Sequence, residues 1–109
     1  MIPKAKIMGA LRQIAKYAPE VIETLELSRH PTEHGPRGGA MFICNKCGLC
    51  YPRKAVQVDH IDPVIPVDSS LEEMDWNTIM ERLFCSPDNL QVLCKPCHQV
   101  KCNEENSER

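Results

Sequence analysis

Two Cys-x-x-Cys pairs constrain this chain more than any other feature. They are Cys44-Asn-Lys-Cys47, followed by Gly48, and Cys94-Lys-Pro-Cys97, with 46 residues between Cys47 and Cys94. A Cys-x-x-Cys turn presents two sulfurs on one side with backbone amides directed at them, and two such turns complete a tetrahedral four-sulfur site for structural zinc. Gly48 suits the tight knuckle, where a residue often needs positive φ. In a chain of 109 residues the hydrophobic core is modest, so a cross-link of this kind matters for folding. The N-terminal stretch "MIPKAKIMGALRQIAK" has no continuous apolar segment followed by a small-residue cleavage site. No later stretch approaches the apolar length of a membrane span. The expectation is a reduced, cytoplasmic chain without a membrane partner, whose seven cysteines serve metal binding over disulfides.

One choice stays open at the first knuckle, because Cys47-Gly-Leu-Cys50 is a competing pair. The position of Gly48 favours Cys44 and Cys47 as ligands over Cys50. Cys85 and Cys102 read as small buried or bystander residues. A redox dithiol is the other meaning of Cys-x-x-Cys, and two separate pairs argue against it.

The pattern elsewhere is that of one compact domain in two parts: a helical arm and loop over residues 1–39 and a cysteine-bearing unit over 40–109. Ile7, Leu11, Ile14 and Ala15 recur at helical spacing. Val21, Ile22, Leu25 and Leu27 suggest a second helix, with Pro19 in its first turn. "HPTEHGPRGG", His30 to Gly39, is a loop by composition, with His30 and His34 exposed in it. "AMFIC" and "KAVQVDH" read as strands flanking a turn-like "NKCGLCYPR". Ser69, Ser70, Glu72 and Glu73 offer two overlapping capping boxes before an amphipathic helix carrying Leu71, Met74, Trp76, Ile79, Met80, Leu83 and Phe84. "NLQVLC" follows as a strand, and Pro96 marks a last helix with His98, Lys101 and Cys102.

Formal net charge is −2, and four thiolates around one dication would take it to about −4. Affinity for nucleic acid therefore has to come from local patches and bound cations. Lys4, Lys6, Arg12 and Lys16 form one such patch, all preceding the first acidic residue, Glu20. Acidic residues gather between Asp68 and Asp75 and in the Glu104, Glu105, Glu108 tail, which reads as frayed and solvated.

A zinc closed by four thiolates has no open coordination position and does no chemistry. Asp59, His60, Asn89 and His98 are the candidates for that, on positional grounds. His98 follows Cys97 directly, Asn89 precedes the strand that leads into Cys94, and Asp59-His60 ends the strand that follows the first knuckle. Taken singly, Asp59-His60 before Ile61-Asp62-Pro63 is also an ordinary turn, Asn89 after Pro87-Asp88 is a common turn residue, and His98 could replace a cysteine on the zinc.

"VDHIDP", "DNLQVLC" and "CKPCHQVK" together resemble the HNH endonucleases, specifically the zinc-braced branch rich in small phage proteins, from about Cys44 to Lys101. "ALRQIAKYAPE" and "WNTIMERLF" resemble that branch less specifically. The resemblance implies an α+β fold: a ββα-metal core braced by the four-cysteine zinc, with an N-terminal helical arm and an inserted amphipathic helix. It implies hydrolysis of DNA phosphodiesters, by nicking or double-strand cleavage. His60 would be the general base, since an imidazole can take a proton from water near neutral pH. Asp59 and His98 would hold a catalytic Mg²⁺ or Mn²⁺, with Ni²⁺ or Zn²⁺ as substitutes in vitro. Asn89 would orient His60 or join the metal shell, Asp62 would support the site from behind, and Arg12 and Lys101 would contact phosphates. DNA is then the expected partner, with phage packaging proteins a further one, since the low net charge suits a partner that delivers DNA. The other class of reading is a noncatalytic zinc ribbon that binds nucleic acid or protein.

Overall fold

The computed structural model describes residues 2–108, and among them the chain forms four helices and two small antiparallel sheets. The order is α1 (Lys4–Ala15), α2 (Pro19–Ser28), β1 (Arg29–His34), β2 (Ala40–Ile43), β3 (Cys50–Pro52), β4 (Val56–His60), α3 (Trp76–Leu83), β5 (Leu90–Cys94) and α4 (Lys95–Glu108). Strands β1-β2-β3 make one sheet, and β4 pairs with β5 in the other. Among the described residues no helix is long and apolar enough to cross a membrane.

The two expected N-terminal helices form, and Pro19 opens the second, where its missing N–H leaves nothing unpaired. Their buried faces differ from the expected ones. In α1 the buried residues are Met8 and Ala15, with Leu11 beside them, while Ile7 and Ile14 are exposed. Leu11 and Ala15 of the expected stripe therefore do face the core, and Met8 completes the buried face in place of Ile7 and Ile14. In α2 Thr24 is buried and Ile22 and Leu27 are exposed. The Thr24 hydroxyl is satisfied by donating to the Glu20 carbonyl at 2.8 Å, one turn back.

The first half of the segment expected as a loop, His30 to Gly39, is a strand. Arg29–His34 pairs with β2 at Arg29↔Phe42 and His34↔Ala40, with an irregularity between. Only the Gly35-to-Gly39 turn is non-strand, closed by Gly35 N–H to the Gly39 carbonyl at 2.8 Å and helped by positive φ at Gly38. Pro31 is tolerated because β1 is an edge strand, where one face of the ladder needs no donor. The chain thus passes from residue 39 to residue 40 inside a paired hairpin. Cys50–Pro52, expected within a turn, is likewise a strand, registered as Ile43↔Cys50 and Met41↔Pro52.

The amphipathic helix is present but starts later than the two serines suggest. Ser70 makes no side-chain cap, and Leu71–Glu73 is a single 3-10 turn. The cap of α3 is Asp75, whose Oδ1 accepts from Thr78 N–H at 2.7 Å. That bond holds the Asp75 carboxyl below the usual carboxylate range. Ile79 and Leu83 are buried against Met8, Ala15, Val64 and Met74 in the larger core cluster. A second cluster, Phe42, Val56 and Val92, joins the two sheets. The C-terminal tail is not frayed through Glu108: α4 continues to that residue, and Glu105 pairs with Lys101 at 2.7 Å.

Candidate functional site

The sulfurs of Cys44, Cys47, Cys94 and Cys97 lie within 4.8 Å of one another. Tetrahedral zinc with Zn–S bonds of about 2.3 Å sets sulfurs about 3.8 Å apart, and Cys47 Sγ to Cys94 Sγ is 4.0 Å. The donor set therefore fits one zinc ion. Local geometry explains how each knuckle forms. Gly48 has φ +76° and donates its N–H to the Cys44 carbonyl at 2.9 Å, folding the turn back on itself. Cys47 N–H points at Cys44 Sγ at 3.5 Å. Asn45 N–H then docks this knuckle on β5 through the Val92 carbonyl at 2.8 Å. Cys50 lies on β3 outside the four-sulfur group.

The acidities of the four thiols diverge. Burial opposes ionisation of Cys44, but N–H groups of Cys47, Cys94 and Lys46 more than offset it and lower its pKa to about 6. Cys97 is pushed up to about 12, first by its hydrogen bond to the Cys94 sulfur and then by burial. Tyr51, 3.7 Å from Cys47 Sγ, is raised first by that contact. Four sulfurs crowded together share protons in this way, and a dication is the species that replaces those protons.

A second group of ligand-type side chains gathers on the other side of α4. Helical spacing puts His98, Lys101, Cys102 and Glu105 on one face, which lies along β4. His98 Nε2 comes within 3.6 Å of Asp59 Oδ1. That separation is within the span of two ligand bonds of about 2.1 Å each, so one oxygen and one nitrogen suit a single Mg²⁺ or Mn²⁺ with room left for water. The other carboxylate oxygen, Oδ2, accepts from Lys101 Nζ at 3.1 Å and from Gln91 Nε2 at 3.2 Å. Lys101 also reaches the His60 carbonyl at 3.0 Å and Glu105 at 2.7 Å, which engages all three of its N–H donors. Burial works against the Lys101 charge, yet the two carboxylates prevail and raise its pKa. Cys102 Sγ sits 3.7 Å from His98 Nε2. Burial and then the charges of Asp59 and Glu105 push its pKa up and keep it a thiol.

His60 is held by a different set of contacts. Its Nε2 lies 3.0 Å from the Leu83 carbonyl. Carbonyls in the last turn of a helix lack intrahelical partners, so Leu83, the last residue of α3, offers a free acceptor. With Nε2–H donating there, Nδ1 is the nitrogen left to accept a proton. Asn89 grips the backbone just after His60: its Oδ1 accepts from Asp62 N–H at 2.9 Å, its Nδ2 donates to the Asp62 carbonyl at 3.2 Å, and its own carbonyl accepts from Ile61 N–H at 2.8 Å. Arg82 fixes the next stretch, donating to the Val64 carbonyl at 2.8 Å and to the Pro63 carbonyl, with Asp62 Oδ2 at 3.0 Å.

Asp59, His60 and His98 all line one cleft of about 540 Å³. Its remaining walls carry five cationic residues from three separate segments: Arg12 of α1 and Lys16 at its C-cap, Arg53 and Lys54 of the 3-10 turn before β4, and Lys95 at the start of α4. Of the residues singled out from sequence, Asn89 contacts the loop behind His60 instead of the Asp59–His98 pair, and Asp62 is the residue it grips. Lys101 lies beneath the pair, tied to Asp59. Sequence reasoning missed Gln91, Arg82, Leu83, Arg53, Lys54 and Lys95. Arg53, Lys54 and Lys95 carried a weak signal in their proximity to the two knuckles; a backbone carbonyl such as that of Leu83 carries none.

A probable HNH endonuclease of Lactococcus phage SK1 is 40% identical to this chain over 64 residues. The match covers 58% of this chain and 56% of that relative, so the chain spans little more than half of the relative's length. No family model matches the chain. No solved structure matches it.

Proposed function

We propose that this chain is a metal-dependent nuclease of the HNH type that hydrolyses DNA phosphodiester bonds. The observation that carries the reading is the convergence of Asp59 Oδ1 and His98 Nε2, 3.6 Å apart, with His60 in the same cleft. Strands β4 and β5 followed by α4 supply the two antiparallel strands and helix that a ββα-metal core requires. The phage relative's name, a probable HNH endonuclease, agrees with the reading.

In this proposal Asp59 and His98 hold the cation, and His60 Nδ1 takes a proton from the attacking water while Nε2 stays fixed on Leu83. Asp59 and His98 would hold a divalent cation there, and its chemistry would be to polarise the scissile phosphate and stabilise the departing oxygen. Asn89 sets the aim of His60 through the Ile61–Asp62 backbone. Lys101 holds Asp59 in its orientation through Oδ2, so contacts to phosphate fall to Arg12, Lys16, Arg53, Lys54 and Lys95 on the rim. Cys44, Cys47, Cys94 and Cys97 hold structural zinc, which fixes Cys97 and with it the start of the helix that carries His98.

Supercoiled plasmid incubated with Mg²⁺ or Mn²⁺ tests the reading. Cleavage is expected to vanish with chelator and in His60→Ala, with zinc content and fold intact. Equal cleavage by wild type and His60→Ala, or none by wild type under any divalent cation, leaves a zinc-ribbon binding module as the better description.

A further inference from the structure

Gln91 is directly opposite Asp59 in the β4–β5 ladder, and side chains of such a pair share one face of the sheet. Its amide is bound at both ends. Nε2 donates to Asp59 Oδ2 at 3.2 Å, and Oε1 accepts from Asn45 Nδ2 at 2.8 Å. Asn45 is the residue after Cys44, inside the first knuckle, and its backbone N–H is separately anchored to the Val92 carbonyl. A continuous line of hydrogen-bonded side chains, Asn45–Gln91–Asp59, therefore runs from the four-sulfur site to the cleft.

The polarity of this line gives it a consequence. Asn45 occupies the Gln91 oxygen, which turns the Gln91 N–H group, and not its oxygen, toward Asp59. Reversed, the amide would set an acceptor against a carboxylate. With Gln91 and Lys101 both donating to Oδ2, that oxygen is saturated, and Oδ1 is the one left beside His98. We propose that Gln91 is a positioning residue that makes Asp59 a one-oxygen ligand aimed at the His98 side, and that Asn45 couples this orientation to the zinc knuckle. Loss of a group hydrogen-bonded to a metal's ligand typically lowers metal affinity or activity about 10- to 100-fold. The inference rests on the assignment of Asp59 and His98 as cation ligands.

Mn²⁺ affinity, read by electron paramagnetic resonance, tests the coupling without relying on cleavage. Zinc content and plasmid binding are measured on the same samples of wild type, Gln91→Ala, Asn45→Ala and Asp59→Asn. Gln91→Ala is expected to weaken Mn²⁺ binding about tenfold, and Asn45→Ala by a smaller factor. Both should keep one zinc per chain and wild-type plasmid binding, and the Gln91→Ala cleavage rate should recover at saturating Mn²⁺. Unchanged Mn²⁺ affinity in either variant overturns the proposal. So does loss of zinc together with Mn²⁺ in Gln91→Ala, which would make Gln91 a residue of the fold. A different failure, Mn²⁺ binding equally well to wild type and Asp59→Asn, would move the cation away from Asp59 and remove the nuclease assignment along with this one.

Discussion

The four-sulfur cluster and the Asp59–His60–His98 cleft are both gatherings of ligand-type side chains, and they are assembled in opposite ways. Each sulfur pair comes from one turn, so four residues of sequence and a few backbone N–H groups preset its geometry. Cys44 and Cys94 are buried to 1–2% exposure. In the cleft, the candidate groups come from separate segments: Asp59 and His60 from the end of β4, His98 from α4, and their supports from α3, β5 and the knuckle. Asp59 and His98 retain 13% and 27% side-chain exposure. The first arrangement suits holding a metal that never leaves. The second leaves an accessible edge, which a substrate needs, and depends on the rest of the fold being in place.

The comparison breaks first if the cluster can be lost without the cleft. Cys94→Ser removes a buried sulfur and leaves three, and structural zinc contributes about 10–16 kcal/mol of apparent binding energy in small domains. That is comparable to or larger than the whole stability of a typical domain, about 5–15 kcal/mol. The expected result is loss of zinc and of cooperative unfolding, read by metal analysis and circular dichroism. A folded, zinc-free Cys94→Ser protein that still binds Mn²⁺ would show that the two regions are independent.

The converse substitution lies on the cleft side. His60→Ala should lower plasmid cleavage by about 10²- to 10⁴-fold, the usual contribution of a positioned general base. Zinc content and melting temperature should hold close to wild type, because His60 contributes one hydrogen bond to Leu83 and no buried apolar contact among the core clusters. A large fall in melting temperature would mean that His60 belongs to the fold as much as to the chemistry.

The same contrast governs what could be read from the sequence. The knuckles were legible because their ligands, spacing and glycine are all local. The cleft was legible only as a set of residue types in order, since Asp59, His60, Asn89 and His98 suggest a chemistry but do not give the contacts, and Asn89 lies outside the cleft lining. Arg29–His34 was missed as a strand because "RHPTEH" is polar and contains proline, features that an edge strand tolerates and a composition rule reads as loop. The buried face of α1 was read only in part: Leu11 and Ala15 belong to it, but Met8 takes the place of Ile7 and Ile14, and only the tertiary partner distinguishes these. The Ser69 and Ser70 capping boxes lost to Asp75, whose Oδ1 accepts from Thr78 N–H.

Arg82 sharpens the comparison at intermediate size, because it supports the cleft without touching it. Arg82→Ala leaves the Pro63 and Val64 carbonyls without their donor and frees Asp62 from its pair. Lost hydrogen bonds to a charged donor amount to about 1–3 kcal/mol of stability. Slack in the segment after His60 should lower the cleavage rate on the order of 10- to 100-fold through misplacement of the base. Calorimetry and single-turnover cleavage measure the two. An activity loss no larger than the change in folded fraction would show that this segment does not aim His60.

The smallest effect concerns the rim, where the charges are solvated and act through phosphate alone. Arg12 in the last turn of α1 and Lys16 at its C-cap both line the cleft. Each phosphate contact contributes about 0.9 to the slope of log affinity against log salt. Arg12→Ala and Lys16→Ala should each weaken DNA binding a fewfold at physiological salt and reduce the magnitude of that slope by about 1, with Mn²⁺ affinity unchanged. Their combined effect should be additive, since two solvated charges on separate phosphates share no partner. Lys101→Ala makes the discriminating control: its ammonium is committed to Asp59, His60 and Glu105, so it should alter Mn²⁺ affinity and leave the salt slope alone. If Lys101→Ala changes the slope as Arg12→Ala does, the ammonium leaves Asp59 for phosphate when DNA binds, and the floor of the cleft belongs with its rim.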